Sequence, residues 1–350
     1  MNGFHERVEL APGYEISRVI RGGWQLAGGH GAVDEAALND DFLAFYRAGV
    51  TVVDCADIYT GVEARIGAFR AATLARLGER ALAQLKVHTK FVPDLDILPT
   101  ISRSYVEGVI DRSLRRLGQE RLDLVQFHWW DYAIPGWEET GLWLVELQRA
   151  GKIDLLGGTN FDTEHLEVLD VAGAPLASLQ VQYSLLDDRP ARGLASACRR
   201  LGCGLICYGV LAGGFLGERW LGVPDPGGAF ENRSLVKYRL IIDEFGGWDL
   251  FQALLRTLSE VAARHEVEIS TVAARRMLDQ PGVAAVIIGA RSAAHLDEII
   301  RIGGLRLTAE DHRQIDAVLA ERQGPAGEVF ALERDRQGRH GRIMKYNLSG

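Results

Sequence analysis

Cysteine is scarce, with four in 350 residues, and Cys55, Cys198, Cys203 and Cys207 form no Cys-x-x-Cys pair. That spacing speaks against a disulfide framework or a zinc ribbon and leaves reduced, partly buried thiols. No apolar run reaches membrane-spanning length, and the polar opening MNGFHERVELAPGYEISRV has no apolar centre for a signal peptide. A cytoplasmic protein is expected. A basic excess is missing too: the formal charge is -8 with no basic stripe, which argues against a nucleic-acid partner. No His-x-His pair or His-Glu-x-x-His run offers metal ligands, so no metal is expected. No Gly-x-Gly-x-x-Gly opens a first strand–helix–strand unit, so a Rossmann domain is excluded. No stretch rich in Pro, Gly or Ser marks a linker to a second domain.

What remains is 47% hydrophobic and 25% charged, ordinary for an enzyme with a large core. Eight short β-rich runs alternate with helical patterns: ISRVIRGG, VTVVDCA, LKVHTKF, LDLVQFH, IDLLGGTN, SLQVQYS, GLICYG and AAVIIG. This rhythm predicts a single-domain α/β protein over 1–350, a closed (β/α)8 TIM barrel. The helical patterns include one opening near Asp34 and one in ISRSYVEGVIDRSLRRLG, where Val106, Ile110, Leu114 and Leu117 form a stripe ending at Gly118. Three regions break the rhythm. VELAPGY reads as part of a hairpin closing the barrel bottom. Residues 210–249 read as a long active-site loop containing LAGGFL and YRLIIDEFGGW. The tail 324–350 reads as a strap over the mouth, a subunit contact or a mobile end.

A barrel of this kind carries its chemistry at the C-terminal ends of its strands. Asp54 and Tyr59 in TVVDCADIYTG, Lys90 in VHTKF and His128 in LDLVQFHWW all fall there. Each alone has a bland explanation, such as a turn cap, a surface aromatic or a rim histidine; four at successive strand exits do not. Reducing a carbonyl needs hydride at carbon and a proton at oxygen. A tyrosine with a pKa of about 10 is a reluctant acid, and a neighbouring ammonium lowers that value. Tyr59 is therefore expected as proton donor, Lys90 as its tuner, Asp54 as the partner of Lys90 and His128 as a hydrogen-bond donor to the substrate oxygen.

In type, order and context these residues resemble the catalytic tetrad of the aldo-keto reductases, and the likeness runs from about Val19 to Leu319. One departure is local: Thr60 separates Tyr59 from Gly61, where family members often read Tyr-Gly. The resemblance implies a nicotinamide cofactor stretched across the C-terminal face. It implies that Thr159 and Asn160 in GGTNF, with Gln182 in QVQYS, hold the carboxamide, and that Tyr208 stacks on the ring. Leu211, Gly213 and Gly214 in LAGGFL are expected beside the pyrophosphate, the glycines because they lack a Cβ. In IIGARSAAHLDEI, Gly289 ends the last strand and Ser292 is expected to cap a helix. Backbone N–H groups there, with Arg291 and His295, would cradle a 2'-phosphate. NADP(H) is favoured on that basis, with NAD(H) left open because Ile299 replaces the family's adenine-binding asparagine.

Trp24, Trp129 and Trp130 are expected to wall the substrate pocket, and the substrate to be a small carbonyl compound or the corresponding alcohol. Strand alternation adds a polar floor: His88, Gln126 and Gln180 lie two residues before Lys90, His128 and Gln182 and share their inward face. The competing class is a cofactor-binding regulatory subunit resembling the potassium-channel β-subunits. It ranks below an NADP(H)-dependent oxidoreductase because all four catalytic positions are occupied.

Overall fold

The computed structural model describes residues 3–28, 34–228, 230 and 232–348. Strands β1 (Arg7–Ala11) and β2 (Tyr14–Ser17) pair antiparallel. They form the expected hairpin, turning at Gly13 with φ 78°, where a side chain would be strained. Eight parallel strands then close a barrel: β3 (Val19–Gly22), β4 (Val52–Asp54), β5 (Lys86–Phe91), β6 (Leu122–Phe127), β7 (Ile153–Thr159), β8 (Ser178–Gln182), β9 (Gly204–Tyr208) and β10 (Val283–Gly289). The ring closes by β10 pairing with β3. The first apolar run is thus shared between two elements, since Ile16 and Ser17 belong to the hairpin.

The surrounding helices are α1 (Leu38–Arg47), α2 (Val62–Leu77), α3 (Glu79–Gln84), α4 (Arg103–Leu117), α5 (Trp137–Arg149), α6 (Thr163–Ala172) and α7 (Leu194–Leu201). They continue with α8 (Arg233–Phe245), α9 (Gly247–His265), α10 (Ile269–Leu278), α11 (Leu296–Gly304), α12 (Ala309–Leu319) and the short α13 (Ala331–Arg334). Helix α4 shows why these segments coil where they do. The Ser102 hydroxyl accepts from the Tyr105 amide, Val106, Val109, Ile110 and Leu117 face inward, and Gly118 ends the helix at φ 61°.

Two apolar layers result. Inside the barrel bottom, Leu10 and Tyr14 of the hairpin plug the space over Ile20, Val52, Ile206 and Ala285. The larger layer lies between strands and helices and includes Val53, Val125, Phe127 and Leu179. With the bottom sealed by aliphatic side chains and the Tyr14 ring, the polar inward positions of the tetrad and its floor lie higher, toward the strand exits.

The stretch 210–249 is not one long loop. YRLIIDEF belongs to α8, which Asn232 caps through the Leu235 amide and Gly246 terminates at φ 140°. Leu235, Tyr238, Ile241, Ile242 and Phe245 form its buried stripe at helical spacing. The preceding glycines masked that period. Only the first part of the segment is irregular, with 3-10 turns at Ala212–Gly214 and Glu218–Trp220.

Candidate active site

At the barrel's C-terminal edge lies a cleft of about 470 Å³ whose walls include Asp54, Tyr59, Lys90 and His128. Strand register explains their convergence. Gly22 faces Asp54, Asp54 faces His88, and Lys90 faces Gln126 across neighbouring strands. The Lys90 ammonium donates to both Asp54 oxygens at 2.7 and 2.9 Å and to the Cys55 carbonyl at 2.8 Å. Both side chains of this ion pair are 6% exposed, so bulk water does little to screen it.

Lys90 Nζ sits 5.3 Å from the centre of the Tyr59 ring. All three of its N–H bonds have partners, so it acts on the phenol through its field. Burial pushes Tyr59 up to about 12, and the Lys90 charge opposes that rise without reversing it. The expected tuning is present in direction, but burial wins, and Tyr59 stays protonated at neutral pH. The ring is held edge-on against Trp24, with centroids 5.0 Å apart.

His128 is buried, and its Nδ1 lies 3.0 Å from the Thr159 carbonyl. Burial, followed by the charge of Arg334, lowers its pKa to about 3, so the ring is neutral. A carbonyl only accepts, so the single proton rests on Nδ1 and Nε2 carries a lone pair. This changes what His128 offers: in this tautomer Nε2 is an acceptor, whereas the sequence reading made it a donor.

Below the tetrad lies the polar floor. Gln126 and Gln180 donate to Asp54 Oδ1 at 3.0 and 2.6 Å, and Gln180 also donates to Gln126 Oε1 at 2.9 Å. His88 sits apart from this cluster, stacked near Tyr14 with centroids 6.2 Å apart and held neutral by burial, with its pKa near 3.

The cofactor candidates divide. Thr159, Asn160, Tyr208, Leu211, Gly213, Gly214 and Gly289 line the cleft. The Tyr208 hydroxyl donates to Asn160 Oδ1 at 2.9 Å, and Asn160 takes the left-handed conformation at φ 62°. Gly214 has φ 97°, and a Cβ there would meet nothing within 4 Å, so its face of the cleft is open to a guest. Gly289 is a glycine for another reason: a Cβ would lie 1.9 Å from the Gln25 amide, itself a lining group.

Gln182 is a correction. It does not line the cleft; its amide donates to Asp187 at 2.7 Å, and Gln180, two residues earlier, faces the cleft instead. Strand alternation admits both residues, and height in the barrel decides between them. Arg291, Ser292 and His295 are exposed on the surface just beyond Gly289 and are not part of the cleft wall. Ser292 caps only a 3-10 turn, Ala293–His295, before α11 begins. The amides expected for a phosphate already have acceptors: Ala293 N donates to Asp41 at 2.9 Å and Ala294 N to Ser292 Oγ at 3.4 Å.

Trp24 and Trp130 line the cleft, but Trp129 does not. Its indole is wholly buried, donating to the Asp131 and Ile134 carbonyls, both at 3.0 Å. A residue adjacent to an inward-facing histidine points outward, into the helix layer.

Several lining groups carry no signal in the sequence. The tail folds over the mouth, where Phe330, Ile343, Met344, Lys345 and Leu348 join the wall. Phe330 adopts φ 62° and packs perpendicular to His128 at 5.5 Å. Arg334 ties the tail down by donating to the Asn160 carbonyl at 2.8 Å and the Tyr132 hydroxyl at 2.7 Å. Lys237 of α8 lies 5.1 Å from the Tyr208 ring and 3.7 Å from Glu333.

The model of the aldo/keto reductase family matches residues 18–320. The chain belongs to that family. Aldo-keto reductase YhdN of Bacillus subtilis is 27% identical over 91% of this chain and 95% of its own length. The NADH-specific methylglyoxal reductase of Escherichia coli is 25% identical over 85% and 92%. Among solved structures, the glycerol dehydrogenase AKR11B4 from Gluconobacter oxydans superposes with a TM-score of 0.71 at 23% identity, covering 89% of this chain and 94% of that one. As an aldo-keto reductase the protein is an NAD(P)(H)-dependent oxidoreductase acting on small-molecule carbonyl groups or the corresponding alcohols. No helix among the described residues is long and apolar enough to cross a membrane. The family match, residues 18–320, ends before the tail that completes the pocket wall.

Proposed function

We propose that the tetrad at the strand exits reduces an aldehyde or ketone bearing an apolar substituent, with Tyr59 as the sole proton donor. The observation that carries this reading is the buried Lys90–Asp54 pair beside Tyr59, in a cleft that runs on to Tyr208 and Gly214. A nicotinamide fits the far part of that cleft. Tyr208 offers a flat face, Thr159, Asn160 and Gln180 offer carboxamide partners, and the Gly214 side is free of any blocking group. When bound, it supplies the hydride.

The chain's own residues do the rest. Tyr59 gives its proton to the oxygen that becomes the alcohol, and the resulting phenolate is met by the fixed charge of Lys90. Asp54 holds that charge in place. Trp24, Trp130, Phe330 and Met344 exclude water from the reacting face and grip the apolar part of the substrate. His128, sealed by Trp130 and Phe330 and carrying its proton on Nδ1, closes one side of the pocket without competing as an acid. The test is the loss of nicotinamide absorbance when purified protein, NADPH or NADH, and a panel of aldehydes and ketones are mixed. Turnover is expected with at least one apolar aldehyde, and a panel silent with both cofactors would refute the reading.

Cofactor choice is proposed to rest on Arg291 set against Asp41. Arg291 supplies the cation for a 2'-phosphate, as the sequence reading favouring NADP(H) requires. Asp41, bonded to the Ala293 amide, places a negative charge where that phosphate would settle. In binding titrations, Arg291→Ala is expected to weaken NADPH about tenfold, the scale of one charge-assisted contact, and to leave NADH nearly unchanged. Equal losses for both would remove Arg291 from this role.

A further inference from the structure

Two carboxamides, Gln126 and Gln180, bond Asp54 from the floor of the pocket. Gln126 is completely buried, one layer beneath His128 and directly beside Lys90 in the β5–β6 register. Barrel interiors are ordinarily filled with branched apolar side chains, so a carboxamide here has to be matched by partners. It is: its Nε2 donates to Asp54 Oδ1 at 3.0 Å and its Oε1 accepts from Gln180 at 2.9 Å. Gln180 forks, donating to that same Asp54 oxygen at 2.6 Å. Asp54 Oδ1 therefore receives three donors, two of them from neutral amides, while Oδ2 receives Lys90.

We propose that Gln126, acting with Gln180, is a positioning residue for proton transfer: it fixes the Asp54 carboxylate so that Lys90 holds its charge against Tyr59. This rests on the reading of Tyr59 as proton donor. Two arguments carry it. A buried carboxylate needs more than one ionic partner to fill its lone pairs, and donors that bring no charge fill them without neutralising it. Asp54 thus stays a full counter-charge for Lys90 but is anchored from below and cannot swing toward the phenol. The anchor also sets where the ammonium sits, because Lys90 spends two of its N–H bonds on Asp54 and the third on the Cys55 carbonyl. A hydrocarbon at position 126 would leave Asp54 held by one amide and Gln180 with an unanswered N–H.

The experiment compares native enzyme with Gln126→Met, which keeps the length and volume and loses both hydrogen bonds. Steady-state reduction is measured in H2O and D2O alongside cofactor binding and thermal unfolding. The expected result is a folded variant whose kcat falls about tenfold, the scale of one hydrogen bond to a charged group. KM and the cofactor dissociation constant stay within about twofold, and the solvent isotope effect on kcat rises because proton transfer is the step impaired. Native kcat and isotope effect in a folded variant would overturn the proposal. So would a joint loss of cofactor binding, KM and kcat, which would make Gln126 a packing residue. If Gln126→Met does not fold, Gln126→Asn, which keeps an amide too short to reach Asp54, must show the same split. A native enzyme inactive with both cofactors would instead sink the underlying reading, which is a separate outcome.

Discussion

Tyr59→Phe is expected to lower the turnover of carbonyl reduction by about 10²–10⁴-fold, the usual contribution of a positioned general acid. The size of the effect follows from the neighbours of the phenol. Lys90 has no proton to spare, because all three of its N–H bonds are engaged and its pKa is raised by Asp54 over the opposing effect of burial. His128 is neutral with its proton held by the Thr159 carbonyl. Neither can stand in. The substitution removes one oxygen and keeps the ring that packs against Trp24 and lies beside Lys90, so cofactor affinity should stay within about twofold of native, as expected for an interaction made only in the transition state. Fluorescence titration with NADPH and single-turnover kinetics separate the two quantities. A variant that keeps more than about a tenth of native turnover would mean that another group delivers the proton.

Much of this was legible in the sequence because it depends on short-range rules. The eight strands appear as apolar runs at regular spacing, and Asp54, Lys90 and His128 each close or follow such a run. Period-two alternation placed His88, Gln126 and Gln180 inward beneath the site, where two of them bond Asp54. The same rule could not choose between Gln180 and Gln182, since both face inward and only the height of β8 in the barrel separates the cleft from the Asp187 bond. Carried past the end of β6, the same rule ranks the two indoles, since an inward His128 sends Trp129 out and brings Trp130 to the mouth; expecting both as pocket walls left that step out. Helix α8 was hidden by the glycines before it. For the tail, a strap over the mouth was one of three readings, and the sequence could not choose among them because docking depends on pairings between residues more than a hundred positions apart, such as Arg334 with Asn160 and Glu333 with Arg189.

Those pairings set the second large effect. Arg189 donates to Asp187 at 2.7 Å and to Glu333 at 3.3 Å, and Lys237 lies 3.7 Å from the far oxygen of Glu333. Asp187, Arg189 and Glu333 are essentially solvent-free, and Asp187 also receives Gln182. Two anions and two cations balance, so the cluster tolerates burial only while all four are present. Glu333→Gln keeps the shape and removes one charge, leaving Arg189 and Lys237 to share Asp187. Removing one partner of a buried ionic set costs about 3–5 kcal/mol. Differential scanning fluorimetry should therefore show a lower Tm, and limited proteolysis should cut within 324–348, because Glu333 anchors α13 to the barrel. The pH dependence distinguishes a charge effect from a packing effect. The guanidinium and ammonium hold Glu333 down to about 2 from an ordinary 4.5, against the cost of burial. A carboxylate depressed in the folded state stabilises fully above its unfolded pKa, and that contribution fades as pH falls from about 4.5 toward 2. The native protein should thus exceed Glu333→Gln by a constant margin above about pH 5, and the two should converge as the buffer becomes more acidic. Equal Tm values at pH 7, or a margin that ignores pH, would mean the strap is held by Arg334 and the Phe330 ring, with the ion cluster contributing little.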